Sequence, residues 1–436
     1  MSASAPSSAL ETLTLIQVNA AGNSNKFYEL SKMPDGSTFA RWGRVGAAKA
    51  QSRTYPGHNS FHLKQAEKLR KGYTVFNGGG AAAVAVAHQG NLVDGVLAGL
   101  CPKAAPGSAT ADFVTSLIRS NRHAIDTATG GRITVSDSGA VSTALGAVSL
   151  QQIASARREL AVLRGGYDRS AVEKYLTLIP QKIINVRDTD WVTASWCRRQ
   201  DDLLDALESA VTMSSATTDG DTDGRDAAAI PFRHVLSELD PKSDEFTRIA
   251  AKFDRSRNSM HAASRLSLYR VWVLEDSAAA RWEGRKRELK HTRELWHGTS
   301  AGNVLSILRT GLICPSMSAS NYNTTGRMFG DGVYFSDQST KSLNYAIGSA
   351  PGQMARSGGQ GNPMMFLADV VMGRECRSDA STSGSELVRR SRKDTDAKGR
   401  EYDSLYIRGG HCGVRNNEMI VWRTEQIKLA YLCEFR

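Results

Sequence analysis

Apolar and polar positions alternate as strands do over the first 45 residues. Thr12 to Val18, Lys26 to Ser31 and Thr38 to Val45 are separated by Gly/Asn and Pro-Asp-Gly turn signals. The period then changes. Phe61, Leu63 and Leu69 recur among lysines from Ser60 to Lys71, and the run stops at Gly72, which predicts a short amphipathic helix. The pattern predicts a small β-rich domain over 10–77, preceded by a Ser/Ala-rich disordered tail over 1–9. Gly78–Gly80 and the alanines after them open a flexible linker over 78–108.

Helical spacing takes over next. Ala111 to Ala128 is one helix; Ser149 to Arg164 is a second, with Ser149 and Gln152 as a capping box and Gly165-Gly166 as its stop. Asp188 to Met213 is a third, carrying Trp191, Ala194, Leu203, Leu204 and Leu207 near helical spacing. Strand signals are nearly absent, so 109–225 reads as an all-α domain whose last stretch, from 214, is a Ser/Thr/Asp/Gly-rich loop reaching 228. Beyond it the pattern is mixed. Asp244 to Phe253 and Ser277 to Lys290 look helical, and Arg265 to Leu274, Gly332 to Ser336, Met364 to Val371, Met419 to Arg423 and Ile427 to Phe435 look like strands. Residues 226–436 are therefore an α+β domain on an antiparallel or mixed sheet, and the whole chain is a multidomain α+β protein.

Charge adds a candidate partner. The 55 Lys+Arg against 44 Asp+Glu give +11 and a pI near 9.4. Ten Lys/Arg against four Asp/Glu lie in the first 77 residues, so over half the excess sits in the first domain. That balance suits a polyanion such as nucleic acid, and equally a soluble basic protein without one. An apolar run of about 18 residues is absent, as is a charged n-region before an apolar one, so neither a membrane span nor a signal peptide is expected. The six cysteines include no CxxC pair, so they read as free thiols in a reducing compartment and no zinc-finger spacing exists.

Three segments of the last domain carry candidate chemistry. They are Leu295-Trp296-His297-Gly298-Thr299; Met328 to Asp337 running into Lys341-Ser342-Leu343-Asn344-Tyr345; and Asn417-Glu418-Met419-Ile420-Val421-Trp422. Each sets polar groups at the edge of an apolar strand, which is either a site mouth or a solvated surface. Singly, His297, Tyr334, Tyr345 and Glu418 read as well as structural residues. The Gly-rich stretch is no phosphate loop, because it lacks GKS, GKT and GxGxxG before a helix.

Taken together, LWHG, MFGDGVYFSD, KSLNYA and NNEMIVW resemble the catalytic domain of the poly(ADP-ribose) polymerases, densely over 295–346 and more loosely over 363–436. The resemblance implies an NAD⁺-consuming ADP-ribosyltransferase with a His-Tyr-Glu triad, here His297, Tyr334 and Glu418, and no metal. It implies that His297 binds a ribose hydroxyl and that Tyr334 and Tyr345 sandwich nicotinamide. Gly298 through its backbone and Ser342 through its hydroxyl would bind the carboxamide; Thr299 and Asn303 would line the adenosine side. Residues 314–330 would be the loop over the donor site. Two departures fall on the acceptor side: Arg327 replaces the usual aromatic, and Asn416 stands where polymer-forming relatives often have tyrosine.

The first domain has its own resemblance. Lys26 to Leu30 and Arg41-Trp42-Gly43-Arg44-Val45-Gly46, with the Lys/Arg-rich helix, look like a WGR domain. This implies binding to DNA strand breaks through Trp42, Arg44, Lys49, Lys64 and Lys68; the alternative is Trp42 as a core residue and Arg44 as a surface charge. Leu145 to Ile153 and Tyr175 to Pro180 are similar to the family's regulatory helical domain, which blocks NAD⁺ entry until DNA binds. The resemblance thus implies a DNA-break-stimulated enzyme, nuclear if eukaryotic, that modifies proteins including itself. A mono-ADP-ribosyltransferase and a catalytically weak DNA-binding scaffold are the alternatives.

Overall fold

The computed structural model describes residues 8–45, 47, 50–76, 92–105, 107–129, 133–135, 141–143, 146–181, 183–188, 190–216, 230–313, 329, 332–347, 362–381, 383–393 and 398–436. Contacts divide the chain into two compact units: Met1–Gln89 with Ala124–Asp219, and Gly90–His123 with Gly220–Arg436.

The first unit opens with the expected β-rich domain. β1 (Glu11–Asn19), β2 (Ser24–Lys32), β3 (Thr38–Arg44) and β4 (Gln51–Tyr55) pair antiparallel in succession, α1 (Ser60–Arg70) follows, and β5 (Thr74–Val75) completes the order β4-β3-β2-β1-β5. β4 escapes a hydrophobicity search because QSRTY is almost wholly exposed at the sheet edge. Phe61 of α1 seals one face over Leu15, Tyr28, Leu30 and Ala40.

In the second unit α2 (Leu92–Leu100) precedes α3 (Ala109–Thr129), and the division between the units falls within α3. The chain then returns to the first unit, where β6 (Ile133–Val135), β7 (Val141–Thr143) and β8 (Gly146–Ala147) form a small antiparallel sheet ahead of three helices. The all-α expectation for this region is corrected to that extent: Ile133, Thr134, Val135, Val141 and Thr143 are β-branched, a signal too short to register beside the helices. α4 (Leu150–Arg164) has the expected capping box, Ser149 Oγ accepting from Gln152 N–H at 3.1 Å, and it ends at Gly165. α5 (Arg169–Leu178) packs with α4 and α6 (Ala194–Ala216) around Ile153, Leu160, Tyr175, Leu204 and Leu207. α6 starts six residues later than its apolar spacing suggests. Asp188 Oδ1 accepts from Asp190 N–H at 3.1 Å and Thr193 Oγ1 from Trp196 N–H at 3.1 Å, so local side-chain bonds hold a turn and cap the helix at Thr193.

From residue 230 onward the second unit is built on two sheets. In chain order its elements are β9 (His234–Glu238), α7 (Asp244–Arg255), β10 (Leu268–Asp276), α8 (Ala279–Leu289), β11 (Thr292–Gly298), α9 (Val304–Thr310) and β12 (Val333–Phe335). They continue with α10 (Ser339–Ala346), β13 (Met364–Val371), β14 (Glu375–Arg377), α11 (Gly384–Lys393), β15 (Ser404–Ile407), β16 (Glu418–Val421) and β17 (Ile427–Phe435). The larger sheet has the order β11-β13-β17-β10-β9 and its pairs are antiparallel; the smaller is β12-β16-β15-β14 with β14 and β15 parallel. Among the described residues a single bridge, Trp296 to Ser336, joins them. MMFLADVV is nearly all buried because β13 lies between β11 and β17, with Trp296, Leu343 and Phe253 in the same core. Phe113 of α3 stacks on the buried Trp272 of β10 at 4.3 Å, so the start of the helical segment is part of this unit's core.

Candidate functional site

The Trp296–Ser336 bridge is what assembles the three motif segments. It carries β11, with His297 and Gly298 at its end, against β12, with Tyr334; β12 in turn pairs with β16, whose first residue is Glu418. His297 Nδ1 lies 3.0 Å from the carbonyl of Tyr334. A carbonyl only accepts, so Nδ1 bears the proton and Nε2 keeps a lone pair for a hydroxyl. Burial lowers the His297 pKa from its ordinary value, the Tyr334 carbonyl opposing, which favours the neutral ring.

Gly298 and Ser342 meet across β11 and α10. A Cβ on Gly298 would stand 1.7 Å from the Ser342 carbonyl oxygen, so no other residue fits without moving α10. Ser342 is buried and donates its hydroxyl to Trp296 O at 3.1 Å, which leaves its lone pairs for an incoming N–H. Tyr334 OH accepts from Phe329 N–H at 3.1 Å. Tyr345, one turn after Ser342, is 50% exposed, as an aromatic at a site mouth would be. Thr299 is half-buried and Asn303 is buried just before α9, where Asn121 of α3 donates to the neighbouring Gly302 carbonyl at 3.0 Å.

Glu418 is the chemically charged end of the site. Its side chain is 13% exposed, and Lys341 Nζ lies 2.6 Å from its carboxylate. Burial pushes the Glu418 carboxyl above its ordinary range, the Lys341 ammonium opposing; burial likewise pulls Lys341 down, Glu418 opposing. Asn416 Nδ2 lies 3.5 Å from His261 Nε2, and His261 Nδ1 lies 2.9 Å from Thr340 Oγ1. Among the described residues no group of His, Cys, Asp or Glu is arranged to hold a metal. Residues 314–328, which include Arg327, lie outside the described residues.

Known proteins bear on this arrangement. Residues 243–436 match the poly(ADP-ribose) polymerase catalytic domain model and 11–78 match the WGR domain model. A putative poly(ADP-ribose) polymerase-like protein of invertebrate iridescent virus 6 is 31% identical over 144 residues, 33% of this chain and 70% of that protein. The chain belongs to the poly(ADP-ribose) polymerase family.

Poly [ADP-ribose] polymerase 1 of chicken is 28% identical over 245 residues, 52% of this chain but only 23% of that protein. Mouse protein mono-ADP-ribosyltransferase PARP3 is 24% identical over 410 residues, 83% of this chain and 72% of that protein. The catalytic domain is thus that of an ADP-ribosyltransferase. Lys341 was not assigned a role from the sequence, although it sits in the KSLNYA motif directly before Ser342.

The WGR residues lie in the first unit. Trp42 is half-buried, stacks on Tyr28 at 5.4 Å and donates its Nε1–H to Gln51 at 2.7 Å. Arg44 donates to the Asn23 carbonyl at 2.8 Å and the Ile184 carbonyl at 2.9 Å, so it ties the WGR strand to the segment after α5. Lys64 pairs with Glu67 at 2.7 Å, and Lys68 sits 4.0 Å over the Tyr28 ring. Burial pulls the Lys68 pKa down, with Glu67 opposing. Lys49 lies outside the described residues.

Proposed function

We propose that this chain is a DNA-break-stimulated ADP-ribosyltransferase that uses NAD⁺ to modify proteins, itself included, with polymer as its product. The observation that carries the reading is the Glu418 carboxylate, largely buried, ion-paired and brought by strand pairing to the strand that carries Tyr334, whose carbonyl in turn holds His297. Cleaving the nicotinamide–ribose bond builds positive charge on the ribose, as in glycoside hydrolysis. A carboxylate bonded to the 2′-hydroxyl stabilises that charge as it develops. His297 Nε2 would accept from the ribose, Gly298 and Ser342 would hold the carboxamide, and the tyrosines would stack on the ring. The Asn121–Gly302 bond beside Asn303 supports a gating role for the helical segment, and the WGR match supports a DNA end as the stimulus. Thr299 and Asn303 would line the adenosine side, and Trp42 would meet the DNA end.

A second reading, mono-ADP-ribosylation, rests on Asn416. In place of a tyrosine it presents a short amide next to His261 on the side where an elongating chain would enter. Incubating the full chain with labelled NAD⁺, with and without nicked or blunt-ended duplex, tests both. A ladder of products that grows with DNA is expected; a single added unit would favour the second reading, and no transfer would overturn both.

A further inference from the structure

Glu418 needs a fixed backbone, and the residue before it supplies one. Asn417 uses almost every polar group it has. Its Nδ2 donates to Asp337 Oδ2 at 2.8 Å, and its Oδ1 accepts from Gly409 N–H at 2.8 Å. Only one orientation of the amide satisfies both contacts, because a carboxylate cannot donate and an N–H cannot accept. The Asn417 carbonyl accepts from Ser336 Oγ–H at 3.1 Å and from Lys341 Nζ at 3.3 Å.

The partners come from three directions. Ser336 and Asp337 follow the strand that carries Tyr334, Lys341 lies on α10 beside Ser342, and Gly409 follows β15, whose Ile407 pairs with Glu418. A Cβ on Gly409 would stand 2.7 Å from the Arg415 carbonyl, so the turn presses directly on the segment entering β16.

We propose that Asp337 is a positioning residue for Glu418, acting through the side chain of Asn417. Its carboxylate fixes the amide, the amide fixes the backbone of 417, and the next residue projects the carboxylate that meets ribose. Asp337 also lies four residues before Lys341, and its charge favours the ammonium that pairs with Glu418. One side chain therefore holds both the place and the counter-ion of the catalytic group. This rests on the reading of Glu418 given above, and the experiment separates the two.

The full chain is assayed for nicotinamide release as wild type, Glu418→Gln, Asp337→Ala, Asn417→Asp and the double variant D337N/N417D. Asn417→Asp sets one carboxylate against another at unchanged size, while the double variant restores a donor–acceptor pair with its polarity reversed. Misplacement of a catalytic group costs up to about 10²-fold, so kcat of Asn417→Asp should fall by that order while KM for NAD⁺ stays within about twofold. Asp337→Ala should fall in the same direction, and the double variant should recover most of the loss. A purely structural role would lower soluble yield and melting temperature without this split between kcat and KM. Wild-type kcat in folded Asn417→Asp overturns the proposal, as does failure of the folded double variant to recover. Full activity of Glu418→Gln would instead overturn the reading beneath it. If Asp337→Ala does not fold, the two isosteric variants still decide.

Discussion

The segments around His297 and the WGR surface were both marked by short motifs, yet folding treats their residues differently. Around His297, each residue's place depends on backbone position. Gly298 must lack a side chain because Ser342 O stands where its Cβ would be, and His297 is set by the carbonyl of the strand that carries Tyr334. On the WGR surface, side chains named for DNA have neighbours of their own. Arg44 is spent on two carbonyls, Lys64 on Glu67, and Lys68 lies over Tyr28. A motif whose parts are fixed by strand pairing gives each residue one place. A motif of long cations marks only a region, because a flexible charged side chain takes whichever partner lies nearest.

The strongest way to break this comparison is at Glu418. Glu418→Gln keeps the shape and one acceptor oxygen but loses the charge and turns the other oxygen into a donor. If the carboxylate acts on developing positive charge, kcat should drop by about 10²–10³-fold with KM for NAD⁺ little changed. Single-turnover nicotinamide release with the full chain measures it, and wild-type kcat would remove Glu418 from the site.

Lys341 sharpens the same half. Lys341→Met leaves Glu418 buried without its cation, and breaking such a pair costs on the order of 3 kcal/mol. Burial already holds the Glu418 carboxyl above its ordinary range, and losing the ammonium moves it further up. The sign follows from linkage. A carboxyl whose folded pKa exceeds its unfolded one binds its proton more tightly when folded, so stability is lost as pH rises from the unfolded range through the folded value. The melting temperature of Lys341→Met should therefore fall relative to wild type as pH is raised. The acid limb of its kcat/KM profile should move to higher pH. Parallel profiles in the two proteins would show that the ion pair does not govern Glu418.

Much of this was readable in advance, for identifiable reasons. Met364–Val371 and Ile427–Phe435 were located to the residue because buried strands are dense in apolar residues, broken only by Asp369 in the first and by Lys428 and Glu434 in the second. Ser149 and Gln152 marked the start of α4 because a capping box is a local bond. What escaped depends on tertiary neighbours. β4 is exposed on an edge, β14 and β15 are too short to show a period, and α10 lies within a motif read for chemistry instead of spacing. Lys341 and Asn417 escaped for the same reason: each acquires meaning only when β12, α10 and β16 converge.

The smallest expected effect tests the WGR half. Counterion release makes the slope of log binding against log salt a count of phosphates neutralised, at about 0.9 for each on duplex DNA. Lys26 is exposed on β2 directly opposite Arg44, on the sheet face that carries Trp42. Lys68 is half-buried against Tyr28 and Tyr73 with Glu67 at 3.9 Å, so swinging it to a phosphate would forfeit a ring contact and a carboxylate. If DNA uses this face, Lys26→Ala in the full chain should lower the slope by about one. Lys68→Ala should leave it nearly unchanged and act instead on the melting temperature, through the aromatic stack beneath Trp42. Fluorescence anisotropy with a blunt-ended duplex across a salt series gives both slopes. Equal losses of slope would mean that Lys68 leaves its ring to reach DNA, and that burial in the unbound protein is a poor guide to which cations meet the phosphates. An unchanged slope in Lys26→Ala would place the DNA on another face of the domain.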